Sequence, residues 1–351
     1  MVRDRAAAST TAHLARSAAR LLGYALLFYL VLRLVPGLKA ALRDLERVSW
    51  AWVIAAALLE TASETGFVAS WRAIIDPGDV LAGGGRGRRT GARVAWAQLA
   101  GGILVPGGSL SGVGVGAWLL HRFGMPPRLI AERQFNLSFL NTTIDAFALV
   151  AFGVGLWAGL LAGEHHLALT LVPAALAAAG IGAAVLVARS AATYGGRLGP
   201  KHPKLAAAVL TVADAVGDTG RLVSHRSGAK SVLGALAYFG FDVLVLWSAF
   251  FAIGAHDVPS ISVVAMAYII GALGGSIPLL PAGVGTVGGI SGMLILYGVA
   301  HNAAFAAVVL YEAIGLLVPL VGGGIAYLLL RRRFGPARTS ASDQPGSSTS
   351  P

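Results

Sequence analysis

Ile103-Leu104-Val105-Pro106-Gly107-Gly108-Ser109-Leu110 breaks an apolar run with proline and glycine, and Pro281-Ala282-Gly283-Val284-Gly285 does so again about 175 residues later. Each break has apolar arms on both sides. In each case a glycine 17 or 18 residues after the proline, Gly124 or Gly298, opens a polar turn into another long apolar segment. The matched spacing reads as a duplicated unit. Unwound backbone inside a bilayer is tolerated only where protein or a water-filled cavity covers it, so paired breaks of this kind mark candidate substrate sites.

The surrounding composition demands a membrane. Of 351 residues, 56% are hydrophobic and 12% charged, with mean hydropathy +0.73, and the apolar runs repeatedly reach the roughly 20 residues that span a bilayer core. The expected class is an all-α polytopic membrane protein. Without cysteine there is no disulfide, thiolate nucleophile or Cys-ligated metal. The net charge of +11 falls in the connections between apolar segments, with no soluble basic domain, which argues for orientation on an anionic membrane and against nucleic acid as a partner. The first apolar run, residues 21–35, lacks a small-residue cleavage site and runs into Arg33 and Pro36, so a cleaved leader is not expected.

Lys and Arg placement sets the topology. An N-terminal arm, residues 1–20, carries Arg3, Arg5, Arg16 and Arg20 against Asp4 and is expected in the cytoplasm. A transmembrane domain, residues 21–333, follows, with about six full spans at 21–36, 50–71, 134–162, 167–188, 232–253 and 304–330. Segment 94–120 leaves a strongly basic connection (Arg72, Arg86, Arg88, Arg89, Arg93) yet is followed by Arg122, Arg128 and Arg133. A single crossing would put one basic cluster outside. A re-entrant hairpin with arms of about 12 residues, or roughly 18 Å, resolves the conflict. The second break, in 261–297, permits either a hairpin dipping from outside or two full spans. The chain thus divides into repeat A (50–162) and repeat B (232–330), each a helix, a broken hairpin and a helix, related by inversion. Between them lies a basic linker, 189–231, with an amphipathic helix at 205–223 along the cytoplasmic interface. Arg331-Arg332-Arg333 stops the last span inside, and the Ser-, Thr- and Pro-rich tail, 334–351, is expected to be disordered.

A hairpin that turns at mid-membrane exposes backbone N–H groups at the N-terminus of its second arm, where the helix dipole attracts anions. The candidates are Gly107, Gly108, Ser109 and Ser111 in the first break and Gly283, Gly285 and Thr286 in the second, with Pro106 and Pro281 placed at the substrate site as the residues that make the turns. Two such termini entering from opposite faces would meet around a phosphate. The plainer reading is close helix packing, since Gly112/Gly116, Gly271/Gly275 and Gly285/Gly289 are small-xxx-small pairs. Gly283, Gly285 and Gly288 also fit a dinucleotide-binding pattern, but without a preceding strand or a following acid that match is rejected. Ionisable residues within spans are costly and mark function by default. Glu60 and Glu64 share one helix face as candidates for proton or cation coupling. Gln134, Ser138, Asn141 and Asp145 draw a polar stripe facing the protein interior, Tyr238 and Asp242 share a face, and Tyr311-Glu312 lie on the last span. The plain alternative is that these groups only fix helix register. Glu164-His165-His166 sits in a short turn without a third ligand, and no motif for a metal, a cofactor or enzymatic catalysis appears.

The stretch from Ile277-Pro278 to Gly285, with Gly298, Tyr311-Glu312 and Pro319, resembles the transmembrane region family of lysylphosphatidylglycerol synthases, flippase-like membrane proteins. Val105 to Gly108, Trp118 to Arg122 and Gly124 resemble its first half, and the likeness extends over about residues 20–330. The resemblance implies a lipid-translocase-like fold with two re-entrant elements, handling phospholipid or polyprenyl-linked headgroups at the plasma membrane. It also shows two departures: Gly288 stands where the family commonly has a glutamate, and Glu312 where it commonly has an arginine. The soluble aminoacyl-transferring domain is absent from this sequence, so lipid lysylation is not expected. The expected function is movement of a phosphate-bearing lipid headgroup between leaflets through a midplane cavity. The alternative is a non-transporting scaffold that partners an envelope- or lipid-synthesis enzyme, and a third possibility is a permease for a soluble metabolite.

The absence of cysteine makes topology directly measurable with single-cysteine variants. Arg88→Cys, Arg128→Cys and Arg331→Cys are all expected to react with an impermeant maleimide from the cytoplasmic side, and Asp257→Cys and Asn302→Cys from the opposite side. Labelling of Arg128→Cys from outside would refute a re-entrant first hairpin.

Overall fold

The computed structural model describes residues 48–79, 81, 87–104, 109–163, 166–198, 203–224, 228–275 and 284–331. Among these, the elements are all helices: α1 (Trp50–Ile75), α2 (Gly87–Leu104), α3 (Ser109–Arg122), α4 (Pro127–Trp157), α5 (Leu167–Leu198), α6 (Pro203–Ser224), α7 (Ala229–Ala252), α8 (Ile261–Gly275), α9 (Val284–Leu296) and α10 (His301–Arg331). Five of them, α1, α4, α5, α7 and α10, are long and apolar enough to cross a bilayer. They match five of the six expected spans. The first expected span, the N-terminal arm and the C-terminal tail lie outside the described residues, as do the breaks themselves at Pro106, Gly107, Gly108, Pro281 and Gly283.

Each broken segment forms two short helices packed on one another, α2 with α3 and α8 with α9. Glycine sets how closely they approach. A Cβ on Gly101 would lie 2.7 Å from that of Val115, and one on Gly112 would lie 2.8 Å from the Gln98 carbonyl oxygen, so α2 and α3 run antiparallel. In the second pair Gly271 and Gly289 meet backbone to backbone, and a Cβ on either would overlap the other helix. The packing role expected of these glycines is therefore present. With 14, 15 and 13 residues, α3, α8 and α9 rise only about 21, 22 and 20 Å against a core of about 30 Å.

Several boundaries fall outside the expected ones, and the cause is common to them: hydropathy detects the apolar part of a helix and not its charged ends. α2 has 18 residues rather than about 12, because Arg88, Arg89 and Arg93 are helical. Its first residue, Gly87, lies against the backbone of Asp79 where no Cβ fits. That turn is held by the Arg72–Asp79 ion pair and by left-handed backbone at Gly78 (φ 94) and Asp79 (φ 57). α4 begins seven residues before the expected 134, with Pro127 in the first turn where its missing N–H costs nothing. α5 continues ten residues past 188, to Leu198. The amphipathic linker helix appears as α6, tied to α4 by the Asn136 amide donating to Asp218 at 2.9 Å.

By internal contacts the chain forms two compact units. Of the described residues, unit one gathers those within Met1–Leu59, Leu149–Ala175 and Asp242–Ile314, and unit two those within Glu60–Ala148, Leu176–Phe241 and Gly315–Pro351. Unit two therefore holds the α2/α3 pair, and its core is built on Trp71, Ile75, Leu119, Leu120, Leu140 and Leu330. Unit one holds the α8/α9 pair around Leu246, Phe250, Met266, Ile290 and Leu294. The exterior is apolar in a way water would not tolerate: Leu58, Leu176 and Leu317 are 66%, 70% and 59% exposed. Only 6% of the apolar window of α5 is buried, as suits a helix that faces lipid.

The two glycines that opened polar turns in the sequence end their helices identically. Gly124 and Gly298 both have φ 86, and the following residue reaches back five positions, Met125 N–H to the Leu120 carbonyl at 3.1 Å and Val299 N–H to that of Leu294 at 3.0 Å. This is the left-handed cap that only glycine enters without cost. A Cβ at either site meets nothing within 4 Å, so any penalty is conformational. Gly124→Ala and Gly298→Ala are each expected to cost about 1–2 kcal/mol, read as a lower melting temperature in detergent, whereas Gly180→Ala, in an open helical position, should be neutral or stabilising.

Candidate functional site

In unit two, three buried polar side chains bind the short helix pair to its neighbours. The Trp71 indole N–H on α1 donates to Gln98 Oε1 on α2 at 2.9 Å. Gln98 and Gln134 on α4 pair amide to amide, Gln134 Nε2 donating to Gln98 Oε1 at 2.8 Å and Gln98 Nε2 returning to Gln134 Oε1 at 3.3 Å. A buried amide without a partner costs roughly 1–3 kcal/mol, so the three groups hold one another in place. Gly116 on α3 makes the room: a Cβ there would overlap the Gln98 carboxamide. Ser111, a candidate anion ligand by sequence, instead donates to the Gly101 carbonyl at 3.4 Å across the helix pair.

Beside this network lies a cavity of about 360 Å³. Its polar lining comes from Glu64 on α1, Gln98 on α2, Gln134, Ser138 and Asn141 on α4, and Tyr238 on α7. Phe67 and Leu137 supply apolar wall, Gly112 and Val113 bring α3 to it, and Gly315 and Pro319 bring α10. Pro319 sits within α10 and has no N–H, so the Gly315 carbonyl on the same wall lacks its usual helical donor. Among the described residues no Lys, Arg or His lines the space. An anion about 5 Å from the Glu64 carboxylate would be repelled by about 3 kcal/mol at an effective dielectric near 20.

Unit one carries a second polar cluster. Asp242 Oδ2 on α7, which is buried, accepts the hydroxyls of Tyr268 on α8 and Tyr311 on α10, the latter at 3.2 Å. The two tyrosine rings meet edge to face at 6.3 Å. Glu312 on α10 accepts from the Thr286 hydroxyl in the first turn of α9 and lies near Asp242. The N-terminal turn of α9 thus already meets a carboxylate supplied by the chain. A larger hollow of unit one, about 890 Å³, is lined by helix ends and loops, including exposed His256 and Asp257, and contains none of these groups.

The expected site residues therefore distribute as follows. Glu64 and Asn141 line the unit-two cavity with the rest of the α4 stripe except Asp145, which is half-buried outside the lining. Glu60 is buried one turn from Glu64, its Oε1 3.8 Å from where a Cβ on Gly315 would stand. Asp242, Thr286 and Glu312 fall in the unit-one cluster, with Gly285 half-buried in the first turn of α9. Ser109 opens α3. Sequence reasoning missed Gln98, Trp71 and Tyr268. Gln98 had a visible signal, being the single polar side chain between Arg93 and Pro106. Trp71 and Tyr268 had none, because an indole or phenol in an apolar helix looks like core.

Among the described residues, ten helices, five of spanning length, and two pairs of short helices packed on one another define a polytopic all-α membrane protein. Residues 17–323 match the family described as the lysylphosphatidylglycerol synthase TM region, and the chain belongs to that lipid-related family. No curated protein matches the chain.

The Gln98 clamp has a measurable consequence. Gly116→Ala drives a methyl into the carboxamide and is expected to destabilise the protein by about 1–3 kcal/mol. Gly114→Ala, two residues away in open space, should not. Thermal unfolding of the two variants in the same detergent compares them directly.

Proposed function

We propose that this protein is a lipid translocase of the plasma membrane, moving a phosphate-bearing lipid between leaflets with its headgroup in the unit-two cavity. One observation carries the reading: a cavity of about 360 Å³ bounded by spanning helices and both members of a short helix pair, with six polar side chains turned into it. Polar surface of that extent is expensive within an apolar layer unless a polar guest or water uses it. The family assignment supports a lipid as the guest. In this reading α2 and α3 are a re-entrant hairpin, the two repeats are related by inversion, and both chain termini are cytoplasmic. The lipid phosphate rests at the N-terminus of α3, which opens at Ser109 one turn before cavity-lining Gly112, where the helix dipole favours an anion. Glu60 and Glu64, with the Asp242–Glu312 cluster, provide protonatable groups for coupling. The protein itself carries out no covalent chemistry.

Reconstitution tests this. Liposomes containing the full chain should expose fluorescent inner-leaflet lipid to an external quencher faster than empty liposomes. Asn141→Leu and Glu64→Gln are expected to slow the exchange about tenfold, the worth of one lost hydrogen bond to substrate in a buried site, and Asp242→Asn should slow it through the unit-one cluster. Exchange no faster than in protein-free liposomes would reject translocation, and equal rates in all variants would remove these residues from it.

A further inference from the structure

We infer that the outer face of α3 and the basic helix ends beside it hold a phospholipid with an anionic headgroup, its acyl chain along α3 and its phosphate at Arg122. Leu110, Gly114, Trp118 and Arg122 recur every four residues and so draw one slowly turning stripe along the helix. Leu110 and Trp118 are 74% and 47% exposed, and between them nothing lies within 4 Å of where a Cβ on Gly114 would stand. An open notch thus separates two large apolar side chains. The Arg122 guanidinium sits over the Trp118 ring, 5.5 Å from its centroid, which joins an aromatic of the kind that marks the membrane–water boundary to a positive charge. From Leu110 to Arg122 the helix rises about 18 Å, close to the half-thickness of a bilayer core, about 15 Å, so the stripe has the length of one lipid.

The charge around Arg122 selects the headgroup. Because α2 and α3 run antiparallel, the first turns of α2 lie beside the last turn of α3, and α4 starts five residues after Arg122. The end of α1 joins them, with Arg133 Nη1 donating to the Ile75 carbonyl at 2.7 Å. Two of these helices present N-termini here and two present C-termini, so their dipoles oppose one another and the side chains set the sign. Arg88, Arg89, Arg122 and Arg128 are exposed there, with His121. Of the acids on the same helix ends and turns, Glu132 is exposed, Asp79 is paired with Arg72, and Asp76 is buried. Helix α6, joined to α4 further along through Asp218, adds exposed Asp214. The excess is positive, and each cation near an anionic membrane surface favours that surface about fivefold. None of the four stripe residues lines the cavity, so this site does not depend on the translocase reading.

Trp118 itself reports the occupant. The full chain is reconstituted in phosphatidylcholine bilayers at low ionic strength, with a rising share of phosphatidylglycerol or phosphatidylcholine that carries a nitroxide quencher on its acyl chain. The Trp118 fluorescence is the difference between the wild type and Trp118→Phe. Phosphatidylglycerol is expected to quench it with an apparent affinity about fivefold above that of phosphatidylcholine. Arg122→Gln and the double variant Arg88→Gln/Arg89→Gln should each bring the ratio to within about twofold, and Arg189→Gln, which removes the same charge from α5, should leave it unchanged. Gly114→Leu, which fills the notch, should weaken quenching by both lipids. If Trp118→Phe proves unstable, a fluorescent label on Leu110→Cys, the one cysteine of that variant, gives the same comparison. Equal quenching by the two lipids in the wild type overturns the inference. So does an unchanged ratio in both arginine variants, a loss as large in Arg189→Gln, or quenching that Gly114→Leu does not diminish. Preference for phosphatidylglycerol in liposomes that show no transbilayer movement would sink the translocase reading and leave this site standing.

Discussion

A polar side chain removed from water inside an apolar layer must find a partner, and this structure is organised around that demand. Gln98 illustrates it. Placed on an 18-residue helix with little else polar in its apolar part, it is matched by an indole from α1 and an amide from α4, and α3 has glycine where any side chain would displace it. The helix pair is thereby fixed to two long helices by bonds that neither lipid nor water can replace without loss. In unit one, Asp242 has the corresponding task, gathering hydroxyls from α8 and α10 onto one carboxylate oxygen. Apolar contact alone would leave each short pair free to slide, since lipid tails pack against leucine as well as another helix does.

The same demand explains why the cavity persists. Side chains that line it are held from behind: Gln98 and Gln134 by each other and by Trp71, and the Tyr238 backbone carbonyl by the Ser63 hydroxyl at 2.8 Å. Gly66 and Gly234 press α1 and α7 together so closely that a Cβ on either would strike the opposite backbone. Rigid support behind a polar wall preserves its pattern of donors and acceptors whether or not anything occupies the space.

Much of the fold was legible because bilayer thickness imposes a length on apolar segments and charge cannot hide within them. The expected spans at 50–71, 167–188, 232–253 and 304–330 and the amphipathic linker helix appear nearly in place. That each of the two interrupted segments holds a pair of separate helices was legible from proline and glycine, and Gly124 and Gly298 as helix ends from the same rule. Helix ends at Gly87, Pro127 and Leu198 were not, since a charged turn prolonging a helix beyond the apolar layer leaves no hydropathy signal. At the site, the α4 stripe at 134, 138 and 141 was readable from spacing alone. The partners of Gln98 and Asp242 were not, because which helices meet depends on tertiary packing that one sequence does not encode in any local pattern. Thr286 shows the limit: as a candidate for an external anion it is engaged by Glu312, 26 residues further along the chain.

Pro319 has a mechanical corollary. A helix that lacks one rung of its ladder is most compliant at that rung, and in α10 the soft point coincides with the cavity wall rather than with a loop or an end. Flexure there alters the curvature of a 31-residue rod at the point where one helical bond is already missing. Crowding of the chamber and bending of the last membrane-crossing helix are thus the same deformation, seen from its two sides.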